Sequence, residues 1–367
     1  MSVLAKPEAA DGAATWSADA VPARDGPAGA VRPHPKLSVI IKTLNEAAKI
    51  EACLKSVLAH TDPASTEIIV ADSLSDDATV AVASQYPVTV VQLSSKTDRG
   101  CGSAAQLGFQ YARGERILLL DGDMELAPDF LPAARRALDA DPTLAGAGGL
   151  VIDKVMTLEF QRRQVSRPGN SQPGVKQHLN GGGLFRAEAF RPSGYLADRN
   201  LHACEEFELG SRLSAAGWHF LRLDVPAVYH FGHATPPYRL LRNRWRSKYL
   251  FGQGELLRAN FGASALQWRR SLKSPETFLY LTVIAWWAAL LMLLAGMVFW
   301  PRPGGLLLAA ALIAPFAAQW WKKRDLAMSV YAVALLNGHA AGLIAGFFRP
   351  RVDPKTWIDS VVRHRAP

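Results

Sequence analysis

Cysteine is scarce. Cys53, Cys101 and Cys204 are the only three in 367 residues, far apart and without metal-ligand spacing. That excludes a disulfide-built scaffold and suits a reducing compartment. Charge is thin as well, at 20% against 49% hydrophobic residues, which excludes a wholly disordered chain. No G-x-G-x-x-G follows the first predicted strand, and this disfavours a dinucleotide oxidoreductase. Residues 1–36 hold no continuous apolar stretch to serve as a signal-peptide core. Rich in Ala, Pro, Gly and Asp, they read as a disordered lead, so the first domain is expected in the cytoplasm. Acids are nearly missing from 239–273, where nine basic residues face Glu255 alone, almost the whole of the formal +9. That stretch precedes a long apolar region, so its charge points to membrane lipids and not to nucleic acid.

What is present first is an alternation of strands and helices. Leu37–Lys42, Glu67–Asp72, Val88–Leu93 and Arg116–Leu120 are short, apolar and rich in β-branched residues, as buried strands are. Asn45 is placed to cap a helix carrying Ala47, Ile50, Leu54, Val57 and Leu58 on one face. Further helices are predicted from Ser75 and over Ala104–Ala112. Such alternation predicts a mostly parallel, doubly covered sheet that binds ligands at the carboxyl ends of its strands, where Asp72 and Asp121 fall.

From residue 274 the character changes. Thr277–Trp300, Gly304–Trp321 and Leu326–Phe348 are long and apolar enough to cross a bilayer. Trp286, Trp287, Trp300, Trp320 and Trp321 fit interfacial anchoring, at least near segment ends. Arg269, Arg270 and Lys273 put the first flank inside, and Lys322–Arg324 does the same for the second loop. Three full spans would strand Arg349, Arg351 and Lys355 outside, so two spans plus an in-plane or re-entrant helix stands level with three spans. The predicted divisions are a lead (1–36), an α/β domain (37–238), a basic interfacial segment (239–273), two to three membrane helices (274–348) and a basic tail (349–367). In the interfacial segment Leu240, Leu241, Trp245, Tyr249 and Leu250 are expected to face lipid.

Asp121-Gly122-Asp123 is the strongest local feature. Residues two apart in extended backbone point the same way, so both carboxylates can face one ligand. With phosphate oxygens they make a hard site for Mg²⁺ or Mn²⁺. Glu205, Glu206 and Glu208 open another helical segment, where they either do chemistry or complement a helix N-terminus, with Glu208 spaced to pair with Arg212. His230 and His233 follow a strand, and a neutral imidazole there is a plausible further ligand. Asp98–Ala105 offers Arg99 and, around Gly102, the N–H groups of a helix start, either to a phosphate or as plain loop structure.

With these pieces assembled, the chain resembles the family 2 glycosyltransferases, which have a GT-A fold. Four motifs carry the likeness: Ser38–Glu46, Glu67–Thr79, Gly181–Arg186 and Cys204–Arg212. The resemblance implies a metal-dependent, inverting hexosyltransferase with a nucleotide-diphosphate sugar as donor, a UDP-sugar foremost. It implies that Thr43, Asn45, Glu46, Asp72, Arg99, Gly102 and Asp121 bind the donor. Asp121, Asp123 and His230 would hold the metal, and Glu206 would be the base, with Glu205 competing. Gly182, Gly183, Phe185, Arg244 and Trp245 would meet the acceptor. Ser73 stands where the family usually has a second acid, Glu206 where it has an Asp, and Leu241 where processive members have Gln or Arg. The acceptor implied is a lipid-linked or membrane-proximal glycan of surface-polysaccharide or cell-envelope assembly, at the inner membrane with the catalytic domain cytoplasmic. A processive polysaccharide synthase and an inactive GT-A membrane scaffold are the alternatives.

Overall fold

The computed structural model describes residues 34–154, 172–179, 181–232 and 235–367. Most of the expected lead, Asn180 and His233 lie outside them. Two compact units are present: residues up to Ala234 together with Arg351–Pro367, and Thr235–Pro350.

The first unit is built on β1 (Leu37–Thr43), which is buried along almost its whole length. It pairs in parallel with β2 (Thr66–Asp72) on one side and β4 (Arg116–Asp121) on the other, and β3 (Thr89–Leu93) extends β2. A strand covered on both faces is expected to be apolar throughout, as Leu-Ser-Val-Ile-Ile is. Alternate residues enter opposite cores. Val39 and Ile41 join the cluster under α1 (Ile50–His60) and α4 (Phe130–Ala140). Ile40 joins the cluster holding α3 (Cys101–Tyr111). Burying each such side chain contributes about 1.5–3 kcal/mol.

Beyond β4 the sheet becomes mixed. The order is β10-β3-β2-β1-β4-β8-β6-β9-β5, with β5 (Met124–Leu126), β6 (Leu144–Asp153), β8 (Gly183–Arg186), β9 (His219–His230) and β10 (Ser360–His364), while β7 (Gly174–Lys176) pairs with β9. The expected parallel order thus holds for β3-β2-β1-β4, and the half beyond β4 is largely antiparallel. The short helix α2 (Thr79–Ala83) follows β2, and α5 (Glu205–Ala215) precedes β9.

The C-terminal segment departs from the expected tail. Ser360–His364 pairs antiparallel with β3, and Ile358 is fully buried in the α3 core. Gln110 clasps the Ile358 backbone, and Arg199 donates to the carbonyls of Thr356 (3.0 Å) and Trp357 (3.1 Å). Arg351 pairs with the buried Asp198. The expected boundary at 238 therefore divides a unit whose last strand arrives more than a hundred residues later.

The second unit is helical: α6 (Pro237–Arg246), α7 (Gly252–Asn260), α8 (Ala265–Leu272), α9 (Pro275–Gly296), α10 (Pro301–Lys323) and α11 (Leu326–Phe347). The last three are long and apolar enough to cross a membrane. Leu240 and Leu250, expected to face lipid, are buried in protein, because the close approach of Gly342 to Leu250 draws the preceding turn against α11. Trp286 and Trp287 are not end anchors. Their indole N–H groups donate within the bundle, to the Ala311 carbonyl (3.0 Å) and to Asn337 (2.7 Å).

Candidate active site

Strand register assembles the site. It places Thr43 opposite Asp72 and Lys42 opposite Asp121, so the carboxyl ends of three neighbouring strands form one rim. Asp72 is fully buried. It accepts bonds from Thr43 Oγ1 (3.1 Å), Gln92 Nε2 (2.7 Å), Ser75 N (2.9 Å) and Ser75 Oγ. Four donors fill a carboxylate's acceptor sites. Asp72 thus organises the loop behind the rim.

Asn45 does not cap α1. Its φ is +59°, and α1 begins five residues later. Its backbone N–H donates to Ser75 Oγ and its side chain accepts from Asp76 N, both at 2.8 Å. A left-handed Asn trades the cap for a local polar bridge, an exchange this side chain tolerates. Arg99 braces the same loop through the Ser73 carbonyl (2.8 Å), the Leu74 carbonyl and Asp76. Gly102 does not offer its N–H to a ligand. That group donates to the Leu201 carbonyl (2.9 Å), and a Cβ at Gly102 would strike the Asp198 backbone.

Gly122 and Asp123 form the turn between β4 and β5. A Cβ on Gly122 would meet Thr43 Cγ2 at 2.8 Å, so only glycine lets this turn close on β1. The two aspartates have different partners. Asp121 Oδ1 lies 2.9 Å from Lys42 Nζ, which also reaches Glu205 Oε1 at 3.1 Å. Asp123 Oδ2 lies 3.3 Å from His230 Nε2, whose Nδ1 is 2.7 Å from Asp153 Oδ1. Burial opposes charge on Asp123, yet the His230 bond and Lys49 hold its carboxyl below the usual range. Burial likewise opposes the His230 imidazolium, and the bonds to Asp123 and Asp153 raise it above the ordinary histidine value. Burial and the charge of Asp123 push Glu46 up, offset by Lys49 at 3.3 Å.

On the acceptor side, Cys204 takes a left-handed φ of +67° and turns the chain into α5. Such a backbone is uncommon for a non-glycine residue. It starts the helix with Glu205, Glu206 and Glu208 in its first turn, where the helix dipole favours acids. The three then diverge. Glu205 pairs with Lys42, and Glu208 pairs with Arg212 at 2.8 Å, the spacing that suggested a structural pair. Glu206 lines a small cavity with Gly181, Gly182 and Gly183. Burial pulls the Arg222 guanidinium below its usual range, and the charge of Glu206 acts against that. Gly182 has φ +84°. For Phe185 the expectation is stacking on an acceptor or packing under it, and it lines the same cavity as Glu206. It is 4% exposed and packs with Phe190 and Phe220 beneath the glycine turn, because alternation along β8 aims it into the core. Arg244 and Trp245 stand on α6 in the second unit, with Arg244 over the Tyr249 ring at 5.0 Å and Trp245 edge-on to Phe251.

Lys42, Lys49, Asp153 and Arg222 escaped the sequence reading. A lysine inside an otherwise apolar strand was a signal for Lys42, since a buried cation needs a partner. Asp153 ends a strand just as Asp72 does. Lys49 and Arg222 carried no such sign.

Comparison with known proteins agrees with this geometry. Residues 38–195 match the family described as glycosyl transferase family 2. A dolichol-phosphate mannosyltransferase of Pyrococcus furiosus is 29% identical over 137 residues, 36% of this chain and 38% of that protein. The succinoglycan biosynthesis protein ExoO of Rhizobium meliloti is 32% identical over 132 residues, 36% of each. The matched segment thus spans less than half of these relatives. The solved mannosyltransferase PcManGT from Pyrobaculum calidifontis, in complex with GDP-Man and Mn²⁺, superposes with a TM-score of 0.52 at 22% identity. That likeness covers 85% of this chain and 87% of that one, and the shared fold is GT-A.

Proposed function

We propose that the protein is a membrane-anchored, inverting glycosyltransferase that moves a sugar from a nucleotide-diphosphate donor to a lipid-linked glycan acceptor. The observation that carries this reading is that Lys42 ties Asp121, at the strand end it shares with Asp123, to Glu205 beside Glu206 at the head of α5. The donor nucleoside lies along the loop that Asp72 and Asn45 order, with Thr43 and Glu46 beside it. The diphosphate lies at Asp121-Gly122-Asp123.

A divalent ion suits this rim. Among the described residues no cluster of three or more His, Cys, Asp or Glu side chains forms a ready-made metal cage. Mg²⁺ is generally held through one or two carboxylates plus substrate phosphates, and Asp121 and Asp123 supply those. The like-charge pressure on Glu46 marks an excess of negative charge there. A Mg²⁺ or Mn²⁺ ion held by Asp121 and Asp123, with His230 hydrogen-bonded behind Asp123 and not itself a ligand, would neutralise the charge of the departing nucleoside diphosphate. Lys42 contributes a fixed cation beside it. Glu206 lines the cavity at the glycine turn, where it takes the proton from the acceptor hydroxyl as that oxygen attacks the anomeric carbon.

Three apolar helices and the basic segment before them support a lipid-linked acceptor, as do the names of two relatives, one a dolichol-phosphate mannosyltransferase and one a succinoglycan biosynthesis protein. The catalytic unit is then cytoplasmic, at the inner membrane in a bacterium. The test is a panel of GDP- and UDP-sugars scored by nucleoside-diphosphate release from the purified full chain, with and without Mn²⁺. Release with one donor, dependent on metal, is the expected result. No release from any donor, with lipid extract supplied, would favour the scaffold reading.

A further inference from the structure

Three helices pass the test of length and composition, yet β10 limits how many can cross. Residues up to 234 and residues 351–367 belong to one unit, joined by strand pairing between β3 and β10 and by the plug of Ile358. A chain that leaves one side of a bilayer and returns to that side crosses it an even number of times. Three crossings between Thr235 and Pro350 are therefore incompatible with a closed sheet.

Charge decides which two cross. If α9 and α10 do, the outer turn carries only Arg302, and Lys322, Lys323 and Arg324 stay inside with Arg349 and Arg351. Either other pairing leaves Lys322, Lys323 and Arg324 outside, against the positive-inside bias. Packing agrees. The central windows of α9 and α10 are each 6% buried in protein, that of α11 33%. Along its length α11 is held by the basic segment: Tyr331 meets Tyr238, Gly342 abuts the Leu250 carbonyl, Gly346 abuts the Phe251 carbonyl and Arg349 pairs with Glu255 at 3.1 Å. A crossing α11 would draw Arg242, Arg244, Arg246 and Arg258 toward hydrocarbon depth, where each is costly.

We infer that α9 and α10 form a two-span hairpin and that α11 does not cross. It lies in the leaflet on the catalytic side, with the cations of α6 and α7 among that leaflet's headgroups. This rests on the membrane-anchored reading above.

Single cysteines at Phe299, Lys322, Val352 and Arg191, all exposed, test it in the full chain. An impermeant polyethylene-glycol maleimide shifts the gel band once per labelled thiol, and the wild-type chain supplies the blank. K322C, V352C and R191C should label from one face of sealed vesicles and F299C from the opposite face. V352C labelling with F299C would overturn the proposal. So would all four labelling from one face while the protein resists carbonate extraction. Loss of the protein from the membrane fraction would instead overturn the anchoring itself.

Discussion

Lys42 Nζ bridges Asp121, 2.9 Å away on the neighbouring strand, and Glu205, 3.1 Å away at the head of α5. One cation thereby ties the parallel half of the sheet to the head of α5. Burial acts against the Lys42 ammonium, but Asp121 and Glu205 raise it well above the ordinary lysine value, so it stays charged. Lys42→Met should leave two acids without their counter-charge. Breaking a buried pair costs about 3–5 kcal/mol, and the 38% exposure of Asp121 puts this case toward the low end. Thermal unfolding of the detergent-solubilised chain measures it, and adding Glu205→Gln should recover part of the loss. An unchanged melting temperature would remove Lys42 from this role.

Asp123→Ala should abolish metal-dependent nucleoside-diphosphate release while leaving the fold intact. Binding of Mn²⁺, followed by electron paramagnetic resonance in the presence of nucleoside diphosphate, should weaken with it. Retained turnover with Mn²⁺ would move the metal elsewhere.

The Asp123–His230 pair gives the metal-free protein a pH signature. The raised His230 value adds stability that is complete below about pH 6.5 and is lost as pH rises through the folded value. The depressed Asp123 value adds stability that is complete above about pH 3.9 and is lost as pH falls through the folded value. Between those limits both contribute. The melting temperature should therefore fall as pH rises past neutrality. His230→Asn should flatten that slope, and an unaltered slope would refute the assignment.

Glu206→Gln should bind donor as the wild type does and lose about 10²–10⁴-fold in transfer, the usual worth of a general base. Glu205→Gln should act differently, lowering stability through Lys42. Near-normal transfer by Glu206→Gln would shift the base to another residue.

Ile358→Ala should destabilise the first unit by about 2–5 kcal/mol, since the side chain is fully buried. Ending the chain before Pro275 should be worse, because it strips β10 from β3 and leaves an open strand edge. Size-exclusion profiles should show aggregation of that fragment, and a monodisperse product would contradict the part assigned to β10.

The parallel half of the sheet was readable because Leu37–Lys42, Glu67–Asp72 and Arg116–Leu120 are unbroken apolar runs ending in polar groups. The place of Asp121 at the end of β4 and of Glu206 in the first turn of a helix was readable. Partner choice was readable for Glu208, whose arginine stands four residues on, and not for Glu205, whose lysine lies 163 positions away. For Phe185 the choice between stacking and packing beneath was not readable, because a glycine turn looks the same whether its aromatic neighbour points up or down into a core. The strand at 360–364 was hidden by its basic surroundings, since edge strands tolerate charge.

Because β10 follows the apolar helices in the chain, the ribosome has already released the whole hydrophobic hairpin when that strand becomes available. Until then β3 is unprotected and the Ile358 socket unfilled. Maturation of the first unit is thereby chained to insertion in the bilayer, and a copy that fails to insert should remain an incompletely zipped intermediate exposed to proteolysis.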